Sequence, residues 1–311
     1  MKINRPVDLK EKLPEGYVPF RKWDGVRCHI IHNDIMLADK KGVNDGTIGK
    51  RSLLNQFPEL KDMCSKIPKD TIFDGELVCT KGFTKSDFVP GHLQDMKGEY
   101  EIESFETASG RAHLTDSTKI SIRSKSDPAV VKVFDVLQYE GRDVTELDLF
   151  NENRVDFDTS TYGRFDLYWR FGWGTLSDDD KKVEYYQFDP HFQKCGKLNT
   201  ILMNMMSKYW EGMIWKPMKG SYHAKWYKTK NWEEHDFKVT GYTSGKRDIS
   251  ALTLENGSKV NANPVLVPAN IDKSKIPGSI AVVRYLSDRG IPANVEKGLR
   301  FPVLKELRLS E

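Results

Sequence analysis

Lys22-Trp23-Asp24-Gly25-Val26-Arg27 places a lysine just ahead of an acidic turn and an arginine just after it. A lysine amine with its ordinary pKa of about 10.4 is almost wholly protonated at neutral pH and attacks nothing. It becomes a nucleophile when burial or a neighbouring cation, such as a metal ion or an arginine, lowers that pKa. Asp24-Gly25 supplies a tight turn through which the backbone can approach a bulky ligand, and Arg27 returns a positive charge for a phosphate or ribose. Taken alone, the hexapeptide reads equally well as a charged hairpin turn after an apolar strand.

Four further blocks decide between these readings. Asp74-Gly75-Glu76-Leu77 follows the apolar run Thr71-Ile72-Phe73, which sets a carboxylate at the end of a strand. Val131-Lys132-Val133-Phe134-Asp135-Val136-Leu137 is strand-like with an aromatic at its centre. Glu211-Gly212-Met213-Ile214-Trp215-Lys216 begins with a carboxylate and ends with a lysine across a short apolar run. In Lys225-Trp226-Tyr227-Lys228-Thr229-Lys230 a strand would turn Lys228 and Lys230 to one side.

In this order the blocks resemble the motifs of the covalent nucleotidyltransferases: ATP-dependent DNA ligases, RNA ligases and messenger-RNA capping enzymes. The chain is most similar to the small bacteriophage-type ATP-dependent DNA ligases, and the resemblance runs from Lys22 to Arg308. It implies an α+β nucleotidyltransferase (ATP-grasp-like) domain with antiparallel sheets, followed by a small all-β OB-fold barrel. The expected division is residues 1–233 for adenylation and 234–311 for DNA binding.

The resemblance also implies chemistry. Lys22 would attack the α-phosphate of ATP, the adenylate would pass to a 5′-phosphate at a nick, and the 3′-hydroxyl would displace AMP. Such transfers depend on positioning and charge neutralisation, for which carboxylates holding Mg²⁺ and cationic side chains are suited. By the same resemblance, Arg27 would contact ribose or phosphate, Glu76 the ribose hydroxyl and the metal, and Phe134 the purine face. Glu211 would hold Mg²⁺, Lys228 and Lys230 would neutralise phosphates, and Lys216 would join the nucleotide site in a role left open. Asp24 stays open between a structural role and support for Lys22 and the metal. The implied partner is nicked double-stranded DNA, bound by a monomer whose two domains clamp the nick. Replication, repair and recombination are all compatible with that substrate.

Three departures from the pattern stand out. The family's usual glutamate two residues before the nucleophile, which reads the adenine amino group, is replaced by Phe20. Asp39-Lys40-Lys41-Gly42 stands where Ser-Arg-x-Gly is usual, so Lys40 would serve as a point charge without arginine's bidentate geometry. Leu299 to Arg308 resembles a ligase terminus but lacks Arg-x-Asp-Lys, leaving Arg284, Arg300 and Arg308 as candidates for triphosphate or DNA contact. A capping guanylyltransferase or an RNA ligase shares the lysine chemistry. A non-catalytic nucleic-acid-binding protein would need no nucleophile.

The 311 residues are enough for two domains, and 38% hydrophobic with 30% charged content is that of a soluble globular chain. No apolar run approaches the ~20 residues of a membrane span, and Met1 to Pro6 lacks the apolar core of a signal peptide. The expectation is an intracellular protein without membrane contact, in a bacterial cytoplasm if phage-encoded. Cys28, Cys64, Cys79 and Cys195 form no C-x-x-C pair, which weighs against a zinc ribbon and against the zinc-containing NAD-dependent ligases. Net charge is only +3, but residues 236–311 carry 12 Lys and Arg against 8 Asp and Glu, consistent with phosphate contact.

Along the chain, Val26 to Leu37 and Thr71 to Cys79 read as strands. Leu53 to Leu60 reads as a helix turn interrupted by Pro58, and Asn199 to Trp210 as a buried helix. Asn231 to Asp236 reads as a polar boundary before short strands at 237–242, 251–254, 259–262 and 279–285, whose Gly-rich turns suit a small barrel.

Overall fold

The computed structural model describes residues 3–10, 12–38, 51–85, 99–149, 163–165, 167, 183–185, 211–245, 248–286 and 298–310. The chain divides into two compact units, one of residues 1–203 with 212–229 and one of residues 204–211 with 230–311.

The first unit carries two mainly antiparallel sheets. The larger runs β4 (Asp34–Leu37), β3 (Val26–Ile31), β5 (Ile72–Lys85), β7 (Ala129–Tyr139), β8 (Arg142–Asp143), with β6 (Glu99–Glu103) on β5 and β9 (Val183–Tyr185) parallel to β7. The smaller runs β1 (Val7–Asp8), β11 (Tyr227–Lys230), β10 (Gly212–Pro217), β2 (Tyr17–Lys22). Val18 and Phe20 of β2 pack in one core with Cys28 and Ile30 of β3 and with Phe73 and Val133 of β5 and β7. The near-continuous apolar run of β7 follows from this packing: most of its residues are buried on either face of the sheet.

The structure refines several of the sequence readings. Val26 to Leu37 is a hairpin, with Ile31 opposite Asp34 across His32 and Asn33; Asn33 takes the left-handed conformation (φ 62°) that asparagine tolerates. Pro58 starts a helix turn instead of interrupting one. It opens a 3₁₀ turn over Pro58–Leu60 that leads into α1 (Lys61–Ser65), a position where proline's missing N–H costs nothing. Two capped helices follow β6. Ser104 accepts a hydrogen bond from Thr107 N at the start of α2 (Phe105–Ala112), and Asp116 does so from Lys119 N at α3 (Ser117–Ser126). The helix expected over Asn199 to Trp210 lies outside the described residues.

The second unit is a closed five-stranded barrel in the order β12 (Trp232–Gly245), β13 (Asp248–Leu254), β14 (Lys259–Asn261), β16 (Arg300–Arg308), β15 (Ile280–Leu286), an OB-type arrangement. Phe237, Val239, Leu252, Val260, Val283 and Leu304 fill it. The polar run Asn231 to Asp236, read above as a break, is mostly strand: β12 pairs with β15 from Trp232 to Lys238 and then with β13. Its outward polar side chains hid the pattern. Among the described residues no helix is long and apolar enough to cross a membrane.

Cys28, Cys64 and Cys79 are free and buried, and burial pushes the Cys64 thiol up to about 12 and that of Cys79 up to about 11. These thiols are packing groups at neutral pH. His29 is also interior, and neither ring nitrogen makes a hydrogen bond. Burial lowers its pKa, against the pull of the Asp74 charge. The unfolded chain, with a histidine near 6.5, therefore takes up the proton first, and stability falls as pH drops below that value, by at most about 1.4 kcal/mol per unit. Urea unfolding between pH 7 and pH 5 is expected to show this slope in the wild type and a flatter one in His29→Leu. Identical slopes would show that His29 does not carry the effect.

Candidate active site

The site begins with two glycines. A Cβ built on Gly25 would lie 2.2 Å from Leu77 O and 3.0 Å from Glu76 Cγ, so only glycine lets the turn after Lys22 press onto β5. On β5, a Cβ on Gly75 would meet Lys132 O and Ile30 Cδ1, both at 2.9 Å, so β3, β5 and β7 lie flush only without a side chain there. Both glycines belong to the motifs quoted above.

Lys22 ends β2 opposite Gly212, the first residue of β10, and is half-buried between the buried residues Arg21 and Trp23. Arg21 Cζ lies 4.0 Å and Lys132 Nζ 4.7 Å from the Trp23 ring, so the strand that carries Lys22 ends in a cation-rich setting. Glu76 stands in register between Arg27 on β3 and Lys132 on β7.

Phe134 owes its direction to a β-bulge. Asp135 pairs with Asp74 and Val133 with Gly75, which leaves Phe134 as the extra residue on β7. Bulges re-aim side chains in this way. The ring faces Arg27 Cζ at 5.4 Å, Lys216 Nζ at 5.0 Å and the Trp226 ring at 6.4 Å.

Behind Phe134 lies an ion network that the sequence reading missed. Asp74 and Asp135 are opposed across β5 and β7 and both are 0% exposed. Arg27 donates to Asp74 through Nε (3.0 Å) and Nη2 (2.5 Å), to Asn4 O through Nη1 (2.6 Å) and to Tyr222 Oη (3.0 Å). Tyr222 in turn donates to Asp74 Oδ2 at 2.5 Å. Burial would lower the pKa of Arg27, but the charge and hydrogen bonds of Asp74, together with Tyr222 and Glu76, outweigh it and the net shift is upward. Asp135 accepts from Arg164 Nε at 2.9 Å and from Lys216 Nζ at 3.0 Å. Burial alone would raise the Asp135 carboxyl, and the two cations hold it below its ordinary value.

Lys216 is 1% exposed. Its ammonium also donates to Phe134 O at 2.5 Å and lies 4.6 Å from the Phe20 ring and 4.1 Å from the Trp226 ring. Burial lowers its pKa to about 8, with Asp135 pulling the other way. Phe20, at the position where the family's glutamate was expected, is thus a core residue beside this lysine. One signal was available: an aspartate inside a strand buried on both faces has to find a cation.

The other expected site residues separate. Lys228 Nζ lies 3.6 Å from Asp8 Oδ1, and in the second unit Lys230 Nζ lies 3.2 Å from the buried Glu211. Lys40 lies outside the described residues. Among the described residues no group of three His, Cys, Asp or Glu stands ready for a metal. The donor chemistry nevertheless fits Mg²⁺, which takes one or two carboxylates and completes its shell with water and substrate phosphates.

Residues 8–233 match the sequence profile of the ATP dependent DNA ligase domain. The bifunctional non-homologous end joining protein LigD of Bacillus subtilis (strain 168) is 25% identical over 253 residues, covering 76% of this chain. The chain spans about a third (35%) of that relative's length. A solved Lig E DNA ligase superposes with a TM-score of 0.54 at 14% identity, covering 99% of each chain, a likeness of fold.

Removing one member of the Asp135 cluster is expected to have unequal effects. Asp135→Leu leaves Lys216 and Arg164 buried without their counter-charge and should cost about 3–5 kcal/mol. Lys216→Met leaves Arg164 on Asp135 and should cost about 1–2 kcal/mol, the loss of the bond to Phe134 O. Chemical unfolding of the two variants tests this order, and equal costs would contradict it.

Proposed function

The chain belongs to the ATP-dependent DNA ligase family, and on that premise we propose that it seals nicks in duplex DNA through an adenylate carried on Lys22. One observation carries the assignment of the nucleophile: Gly25 brings the Lys22 turn into contact with Glu76 and Leu77, on the strand next to the bulged Phe134. A lysine at the end of β2, whose following turn touches β5, suits nucleotide attack beside a ribose-binding carboxylate on β5 and a purine-stacking ring on the adjacent β7.

In the first step Lys22 Nζ, having lost its proton, bonds to the α-phosphorus of ATP. The bond to the bridging oxygen breaks and pyrophosphate leaves with the electron pair. In the second, a 5′-phosphate oxygen of the nick displaces the lysine, regenerating the amine and giving adenylated DNA. In the third, the 3′-hydroxyl attacks that 5′-phosphorus, loses its proton, and AMP departs. Each step exchanges one phosphorus bond for another, so catalysis consists of alignment and charge neutralisation.

Within this scheme Phe134 stacks the purine, worth about 1–3 kcal/mol. Glu76 holds the ribose hydroxyl, and Arg27, fixed by Asp74 and Tyr222, presents its remaining Nη1 hydrogen to ribose or phosphate. Lys216 supports the site from within by gripping the bulge that carries Phe134. Lys40, Lys228 and Lys230 serve the phosphates. Glu76 in the first unit and Glu211 in the second are each a carboxylate suited to Mg²⁺, which when bound would supply charge neutralisation at the phosphates. Adenylation is assigned to the first unit and DNA binding to the barrel unit, close to the division at 233/234 expected from the sequence. The chain acts inside the cell as a monomer on nicked DNA. The family match does not favour the alternative of a capping guanylyltransferase or RNA ligase.

With α-³²P-labelled ATP and Mg²⁺, the wild type is expected to retain label through a denaturing gel. Lys22→Ala should retain none while binding nicked DNA within a few-fold of the wild type; label on that variant would remove the nucleophile assignment. Gly25→Ala must push the turn off β5, and a shift of ~1 Å at a reacting group lowers its rate on the order of 10²-fold. Single-turnover labelling at the wild-type rate would show that the contact with β5 does not position Lys22.

A further inference from the structure

The barrel unit carries a second set of aromatic and cationic side chains, on the face formed by β12, β15 and β16. Arg284 pairs with Val303 and Leu286 with Arg300, so Phe301 and Pro302 together oppose Tyr285 in a bulge. Phe301 has φ +49°, a conformation that glycine adopts freely and aromatic residues avoid, and a residue before proline is ordinarily extended. The residue is nevertheless 55% exposed, so burial does not compensate the strain. Backbone strain of this kind clusters at active sites and ligand clamps.

The neighbours of Phe301 suit one kind of ligand. Lys230 Nζ lies 5.2 Å from its ring and 5.6 Å from that of Trp232. Arg284 Cζ lies 4.5 Å from Trp232, Arg300 Cζ lies 5.8 Å from Phe301, and Val303 adds an exposed apolar surface. Glu211 offsets part of the Lys230 charge, and Glu234 stands opposite Arg284 in register. Arg308 is ion-paired to Asp236 at 2.8 Å and Glu306 at 3.1 Å. Ring faces interleaved with lysine and arginine hold single-stranded nucleic acid, the bases stacking and the cations following the phosphates.

We propose that this face binds an unpaired base of a DNA strand end, stacked on Phe301 with its phosphate on Arg284 or Arg300. The proposal rests on the ligase reading and extends its substrate from the flush nick to a break with a frayed or overhanging end.

The test uses the full chain and fluorescence anisotropy with two probes, a short oligothymidylate and an abasic strand of equal length. The wild type should prefer the strand with bases by about ten-fold, the size of one stacked base. Phe301→Gly suits the left-handed φ, so it should melt at or above the wild-type temperature yet lose the preference. Phe301→Tyr, which keeps the ring, should retain it. Equal binding of the two probes by the wild type, an undiminished preference in Phe301→Gly, or its loss in Phe301→Tyr would each overturn the proposal. Adenylation is measured on the same preparations. An adduct without base preference overturns the stacking surface alone. Base preference without an adduct supports the surface and counts against the ligase reading.

Discussion

Two buried carboxylates facing each other across a β-sheet set the terms for the first unit. Asp74 and Asp135 are register partners and neither is exposed. Two like charges ~5 Å apart repel by about 3 kcal/mol at an effective dielectric of about 20. Each therefore needs its own cation, and the chain supplies them from outside β5 and β7. Arg27 comes from β3, Lys216 from β10 in the other sheet, and Arg164 from beyond β8. The neutralising contacts join the two sheets, and the Lys216 ammonium grips the carbonyl of the bulged Phe134. A packing requirement thereby becomes a positioning device, since the residues that satisfy the buried charge also hold the aromatic ring proposed to stack the nucleotide.

The strands and the barrel were legible because their signals are local. Alternation, apolar runs and Asn-Gly turns act over a few residues, and the aromatic motif sits on the strand its pattern indicated; the carboxylates Asp74 and Glu76, read at the end of a strand, lie within β5, which runs on to Lys85. The ion network was not legible, because its partners are far apart in the chain. Tyr222 reaches Asp74 across 148 positions and Lys216 reaches Asp135 across 81. Asp135 nonetheless carried a hint, a charge in the middle of an apolar strand. Phe20 marks the opposite case: at a position known from the family pattern to read a base, the side chain is packed into the core against Lys216. The start of β12 was hidden for a third reason, the polar face that half of a barrel strand turns outward.

Both proposed stacking rings, Phe134 and Phe301, stand at bulges. An extra residue frees a side chain from strict alternation and lets it leave the plane its neighbours impose. At Phe134 the buried ion cluster holds the bulge. At Phe301 the bulge is strained, and proline follows it directly. In each case an aromatic ring stands among cations, the arrangement that a base with a phosphate attached requires.

The most direct test of the central claim is peptide mapping by mass spectrometry after incubation with ATP and Mg²⁺ under conditions that preserve a phosphoramidate. A single AMP on Lys22 is the expected result. An AMP on Lys216, Lys228 or another lysine, with Lys22 unmodified, would contradict it.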